Sequence, residues 1–144
     1  MNVQEQIEKY IGSQPEPKRQ DVEKLHQRIL EALPKCKLWF IDGKDEKGKV
    51  VSNPQIGYGL QTIIYSDGKT KEYYQIGLST NSGGISVYIM GIKDKEYLSL
   101  TYGKSIGKAL VTGYCIKFKA IKDINTDKLE EAILDGVKQT NYLD

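Results

Sequence analysis

The chain has 144 residues, a length suited to one domain with one core. Hydrophobic residues make up 39% and charged residues 28%, the balance of a soluble globular protein. The formal charge of +2 excludes bulk electrostatic attraction to nucleic acid or a membrane surface, and no apolar stretch reaches the roughly 20 residues of a membrane-spanning helix. The N-terminal MNVQEQIEKY carries acidic residues and no apolar signal region, which points to a cytoplasmic location. Two cysteines, Cys36 and Cys115, have neither CxxC nor zinc-ligand spacing and read as reduced structural thiols. His26 is the sole histidine, so a multi-imidazole site within one chain is excluded.

In chain order, residues 2–11 predict a short helix with Val3, Ile7, Tyr10 and Ile11 on one face. Pro15 and Pro17 break it. A second helix from Pro17 or Lys18 to Leu33 buries Val22, Leu25, Ile29, Leu30 and Leu33, and Pro34 ends it. Lys37–Ile41 predicts a strand holding the single tryptophan, Trp39. The charged stretch 42–49 is a loop or hairpin tip, and Val50 and Val51 resume a short strand.

Residues 56–91 organise the chain as an antiparallel meander. Its three runs are 56–65, 72–78 and 85–90, separated by the Asp67-Gly68 turn and the 79–84 turn. The period of two puts Ile56, Tyr58, Leu60, Thr62 and Ile64 on one side of the first strand. Tyr74, Ile76 and Leu78 share a side of the second, against Tyr73, Gln75 and Gly77. Ile85, Val87 and Ile89 oppose Ser86, Tyr88 and Met90 on the third. Residues 95–110 fit one or two helical turns interrupted at Gly103 and Gly107. A strand at 114–119 follows, then a helix from Thr126 or Asp127 to about Gln139, with those two residues as N-caps and Leu129, Ala132, Ile133 and Val137 inward. The expected fold is α+β: a curved antiparallel sheet of five to six strands with N- and C-terminal helices on one face.

Ten tyrosines stand against two phenylalanines, and Tyr58, Tyr65, Tyr73, Tyr74 and Tyr88 fall in the meander. Tyrosine suits half-buried sheet faces and groove walls. The main candidate site is therefore a sheet face lined by Trp39, Tyr58, Tyr65, Tyr73 and Tyr88, with space left by Gly57, Gly59 and Gly77. A covering helix or subunit is the competing reading of that face. Gly103–Lys108 lacks the spacing and the Ser/Thr of a triphosphate-binding loop. Clustering of Lys104, Lys108, Lys117, Lys119 and Lys122 would make a looser anion site. Cys115 on a sheet face with Lys117 and Lys119 would have a lowered thiol pKa. Cys36 and His26 do not have a recognised catalytic spacing. Asp127, Glu130 and Glu131 belong to the densest carboxylate group, with Asp123 and Asp135, and are the candidate ligands for a hard cation such as iron.

Several motifs in order carry a resemblance: Leu33-Pro34 closing a helix, the strand Leu38-Trp39-Phe40, the run Ile56–Gly59, and Gly113–Lys119 leading through Asp123-Ile124-Asn125 into the last helix. The chain resembles the YdhG-like family, bacterial domains largely of unknown function. The resemblance implies a compact α+β domain and, from members described as frataxin-like, an iron-chaperone role. The expectation is a single domain over 1–144 that is a non-catalytic binding module. Its tyrosine-lined face takes a small ligand or protein partner, as monomer or homodimer, with no nucleic acid and no membrane. A metal carrier using Asp127, Glu130 and Glu131 is the alternative, with iron as its cargo and no other cofactor.

Overall fold

A computed structural model describes residues 1–141. Two helices open the chain, α1 (Val3–Gly12) and α2 (Lys18–Ala32). The strands are β1 (Leu38–Ile41), β2 (Gln55–Tyr58), β3 (Gln61–Ile64), β4 (Thr70–Tyr73), β5 (Ile76–Asn81) and β6 (Gly84–Ile89). A short helix α3 (Tyr97–Tyr102), strands β7 (Leu110–Val111) and β8 (Cys115–Phe118), a single 3₁₀ turn (Ile121–Asp123) and helix α4 (Thr126–Asn141) complete it. Six strands form one antiparallel sheet in the order β1-β2-β5-β6-β8-β7, while β3 and β4 make a separate two-stranded ribbon. The α+β architecture matches the expectation. Among the described residues no helix is long and apolar enough to cross a membrane.

Local signals explain the helix boundaries. Asn2 caps α1: its Oδ1 accepts the Glu5 amide at 2.8 Å while its Nδ2 donates to the Glu5 carboxylate at 3.0 Å. Asn125 Oδ1 accepts the Lys128 amide at 3.1 Å, so Asn125 takes the capping role expected of Thr126 or Asp127. Ile7, Tyr10 and Ile11 of α1, Val22, Leu25 and Ile29 of α2, and Leu129, Ala132 and Ile133 of α4 turn inward onto the sheet. Tyr10 locks α1 to β5, its hydroxyl accepting the Thr80 amide at 3.0 Å. Gly136 lets α4 approach β6: a Cβ there would lie 2.2 Å from Ile89 Cγ2.

The meander differs from the sequence pattern in one respect. Both long runs break at the same level. Gly59, at φ +87°, separates β2 from β3, and Tyr74-Gln75 separates β4 from β5. A Cβ on Gly59 would lie 2.2 Å from Gln75 Oε1, so glycine is required twice over, by conformation and by space. The period-two assignment fails beyond this point. Leu60, Thr62 and Ile64, expected beside Ile56 and Tyr58, are exposed. Val50 makes only an isolated bridge to Lys44, and of 95–110 only 97–102 is helical.

The candidate functional site on the outer sheet face

The register builds the outer face row by row. Trp39 pairs with Gly57, Gly57 with Gly77, Gly77 with Tyr88, and Tyr88 with Cys115. One transverse row therefore runs tryptophan, glycine, glycine, tyrosine, cysteine across five strands. The next row runs Ile41, Gln55, Ser79, Ser86, Lys117 and Leu110. The alternate residues, Phe40, Ile56, Leu78, Val87 and Ile116, lie on the opposite face under the helices.

The two facing glycines do not leave open space. A Cβ on Gly57 would sit 2.7 Å from Tyr74 Cδ2, and one on Gly77 would sit 2.9 Å from Tyr74 Cε1. The Tyr74 ring thus lies flat in the glycine trough, 2% exposed, and its hydroxyl donates to Gln55 Oε1. An aromatic ring laid over glycine restores packing that the missing side chains forgo. The break at Tyr74-Gln75 turns Tyr74 to this side rather than to the side of Ile76 and Leu78. Burial raises the Tyr74 phenol pKa far above its ordinary value of 10.0, with Tyr73 adding to the shift. Tyr74 is therefore a neutral donor and a filler.

Other aromatic groups build outward from this ring. Tyr73 stacks on Tyr74 with centroids 4.3 Å apart, and Trp39 meets Tyr73 edge-on at 6.2 Å. Trp39 Nε1 donates to the Gly59 carbonyl at 2.7 Å, which fixes the indole. Lys37 Nζ lies 4.2 Å from the Trp39 ring centroid and Lys71 Nζ 5.0 Å from that of Tyr73, both within cation–π range. On the other flank Tyr88 stacks on Tyr114 at 6.2 Å and 17°. Tyr114 is 56% exposed and Leu110, at the edge, 64%.

Of the residues named from sequence, Trp39, Tyr73 and Tyr88 share this face. Tyr58 does not: it is fully buried beneath α2, where its hydroxyl meets His26 Nδ1 at 2.7 Å. Tyr65 sits apart at the ribbon tip, exposed. Sequence reasoning missed Tyr74 as the filler and Tyr114 as the outer neighbour of Tyr88. The available signal for Tyr74 was the glycine pair, which asks for a flat group above it.

His26 has its pKa lowered by burial, partly offset by Glu23, and its ring is engaged by Tyr58 rather than Cys36. Both cysteines are free. Burial raises the Cys115 thiol pKa and outweighs the lowering effects of Ser86 and Lys117, so the expected activation of this thiol is not found.

The carboxylates are also placed differently from expectation. Arg28 binds Asp127 at 2.6 Å and Glu130 at 3.1 Å, and its third donor reaches Thr126 at 3.2 Å. Glu131 pairs with Lys128 at 3.1 Å. Asp135 accepts the Tyr97 hydroxyl, the Tyr102 hydroxyl at 2.8 Å and the Gln139 amide at 3.2 Å, tying α3 to α4. Burial alone would raise the Asp135 pKa, but these hydrogen bonds together hold it below its ordinary value. Among the described residues no three His, Cys, Asp or Glu side chains converge to hold a metal ion.

No family model, no curated protein and no solved structure matches this chain.

Proposed function

We propose that the chain is a non-catalytic binding module that takes a protein partner on its outer sheet face, through Trp39, Tyr73, Tyr88 and Tyr114. The observation that carries this reading is the Tyr74 ring in the Gly57–Gly77 trough. It fills the hollow that the two facing glycines would otherwise leave. Small-molecule sites are concave and bury most of their ligand, whereas flat surfaces rich in tyrosine and tryptophan suit protein interfaces. The helices pack on the opposite face, so exposed Leu110 and Tyr114 have no helix above them. The YdhG-like placement belongs to this proposal, on the order of motifs alone. The metal-carrier reading draws no support from Asp127, Glu130 and Glu131, which are engaged by Arg28 and Lys128.

Native mass spectrometry of the gently purified chain tests the proposal. The expected result is a second polypeptide, another protein or a second copy, retained at fixed stoichiometry and lost from a Tyr88→Ala/Tyr114→Ala variant. A variant that keeps the added mass, or a parent chain that carries only a small organic adduct, overturns it.

A further inference from the structure

A second site lies at one end of the sheet, away from the aromatic face. A cleft of about 640 Å³ opens there between the start of α2, the β5–β6 turn and the segment after β8. Four lysines reach its walls from three separate stretches of chain: Lys18, Lys108, Lys119 and Lys122. Asp21 and Asp123 are its only carboxylates, so ammonium groups outnumber them. Asp21 is already used, since its Oδ2 accepts the Ile121 amide at 3.1 Å. Lys18 is anchored, donating to the Asn81 carbonyl at 2.6 Å. Lys108, Lys119 and Lys122 are exposed and make no ion pair with any described residue.

We infer that this cleft binds a small anion carrying two or more phosphoryl groups. Three unpaired ammonium groups and one anchored one around a common space repel each other until a multivalent anion enters. Lysine serves phosphate as a compact point charge on a flexible stem, so several lysines can close on one ligand. The volume falls within the usual range for small-molecule sites. Pro17 and Ala120 are the sole apolar side chains of the wall, so an aromatic or lipid ligand finds little to bury against. Lys104 and Lys117, which the sequence grouped with the others, lie outside the cleft wall.

The test is calorimetric titration at about 0.15 M salt with pyrophosphate and, separately, with a bisphosphorylated sugar, followed by amide chemical-shift mapping. Saturable one-to-one binding of either ligand is expected, with shifts at Gly83, Gly84, Lys108 and 119–122; whichever binds more tightly identifies the inorganic or organic source. Lys119→Gln and Lys122→Gln should each weaken binding roughly tenfold, the scale of one charge-assisted hydrogen bond. Asp123→Asn should strengthen it severalfold. Lys104→Gln and Lys117→Gln change the net charge equally and should leave affinity within about twofold. Failure of both ligands to saturate, or equal weakening by the Lys104 and Lys117 variants, overturns the inference.

Discussion

The two faces of the six-stranded sheet are built from the same strands but do different work. The inner face is mostly aliphatic and sealed: Ile56, Ile76, Leu78, Ile85, Val87 and Ile89 are fully buried beneath the helices. The outer face is aromatic, partly wet and supported by one internal filler, Tyr74. In the proposed reading, the alternation along each strand separates stability from recognition. A residue's face, not its chemical type, decides its role: Tyr58 and Tyr88 are both strand tyrosines, yet one is a buried partner of His26 and the other a half-exposed element of the platform.

Substitutions on each face measure that difference. The largest effect is expected from Leu78→Ala on the inner face, a loss of about 2–5 kcal/mol in urea unfolding, from lost transfer energy and the cavity left behind. Gly57→Ala comes next, at about 1–3 kcal/mol, because the new Cβ collides with both the Tyr74 ring and Trp39 Cβ. In a Tyr74→Ala background the ring's share of that cost should vanish, leaving the close approaches to the Tyr74 Cβ at 2.8 Å and the Trp39 Cβ at 2.9 Å, and the double-mutant cycle reports the coupling directly. If Gly57→Ala costs the same in both backgrounds, Tyr74 is not the filler. The buried His26 gives a smaller, pH-dependent effect. Its folded pKa lies below the ordinary 6.5, so the unfolded chain binds the proton more readily. Stability should be full above that value and fall as pH drops from about 6.5 towards the folded pKa. A His26→Asn variant should lack this slope across the same window.

Much of the fold was legible in the sequence, because helix periodicity, proline breaks and the Asp67-Gly68 turn are local signals. What escaped was set by long-range contacts. The split at Gly59 depends on Gln75, sixteen residues later, whose side-chain oxygen accepts the Leu60 amide. The matching break at Tyr74-Gln75 reverses the side of Tyr74, whereas the alternation rule counts Tyr74 with the core residues and the trough as open. Trp39, Tyr73 and Tyr88 were placed together correctly because each lies in an unbroken stretch or beside the break. The carboxylates of α4 looked concentrated because nothing near them in sequence announces Arg28, about a hundred residues away, as their partner.

The most direct test of the division between faces is radical footprinting of the tyrosines and tryptophan, in the chain alone and in its associated form. The account expects Trp39, Tyr73, Tyr88 and Tyr114 to become protected on association, with Tyr65 at the ribbon tip unchanged and Tyr58 and Tyr74 silent in both. Protection confined to Tyr65 or to the helical side, with Tyr88 and Tyr114 still reactive, would contradict it.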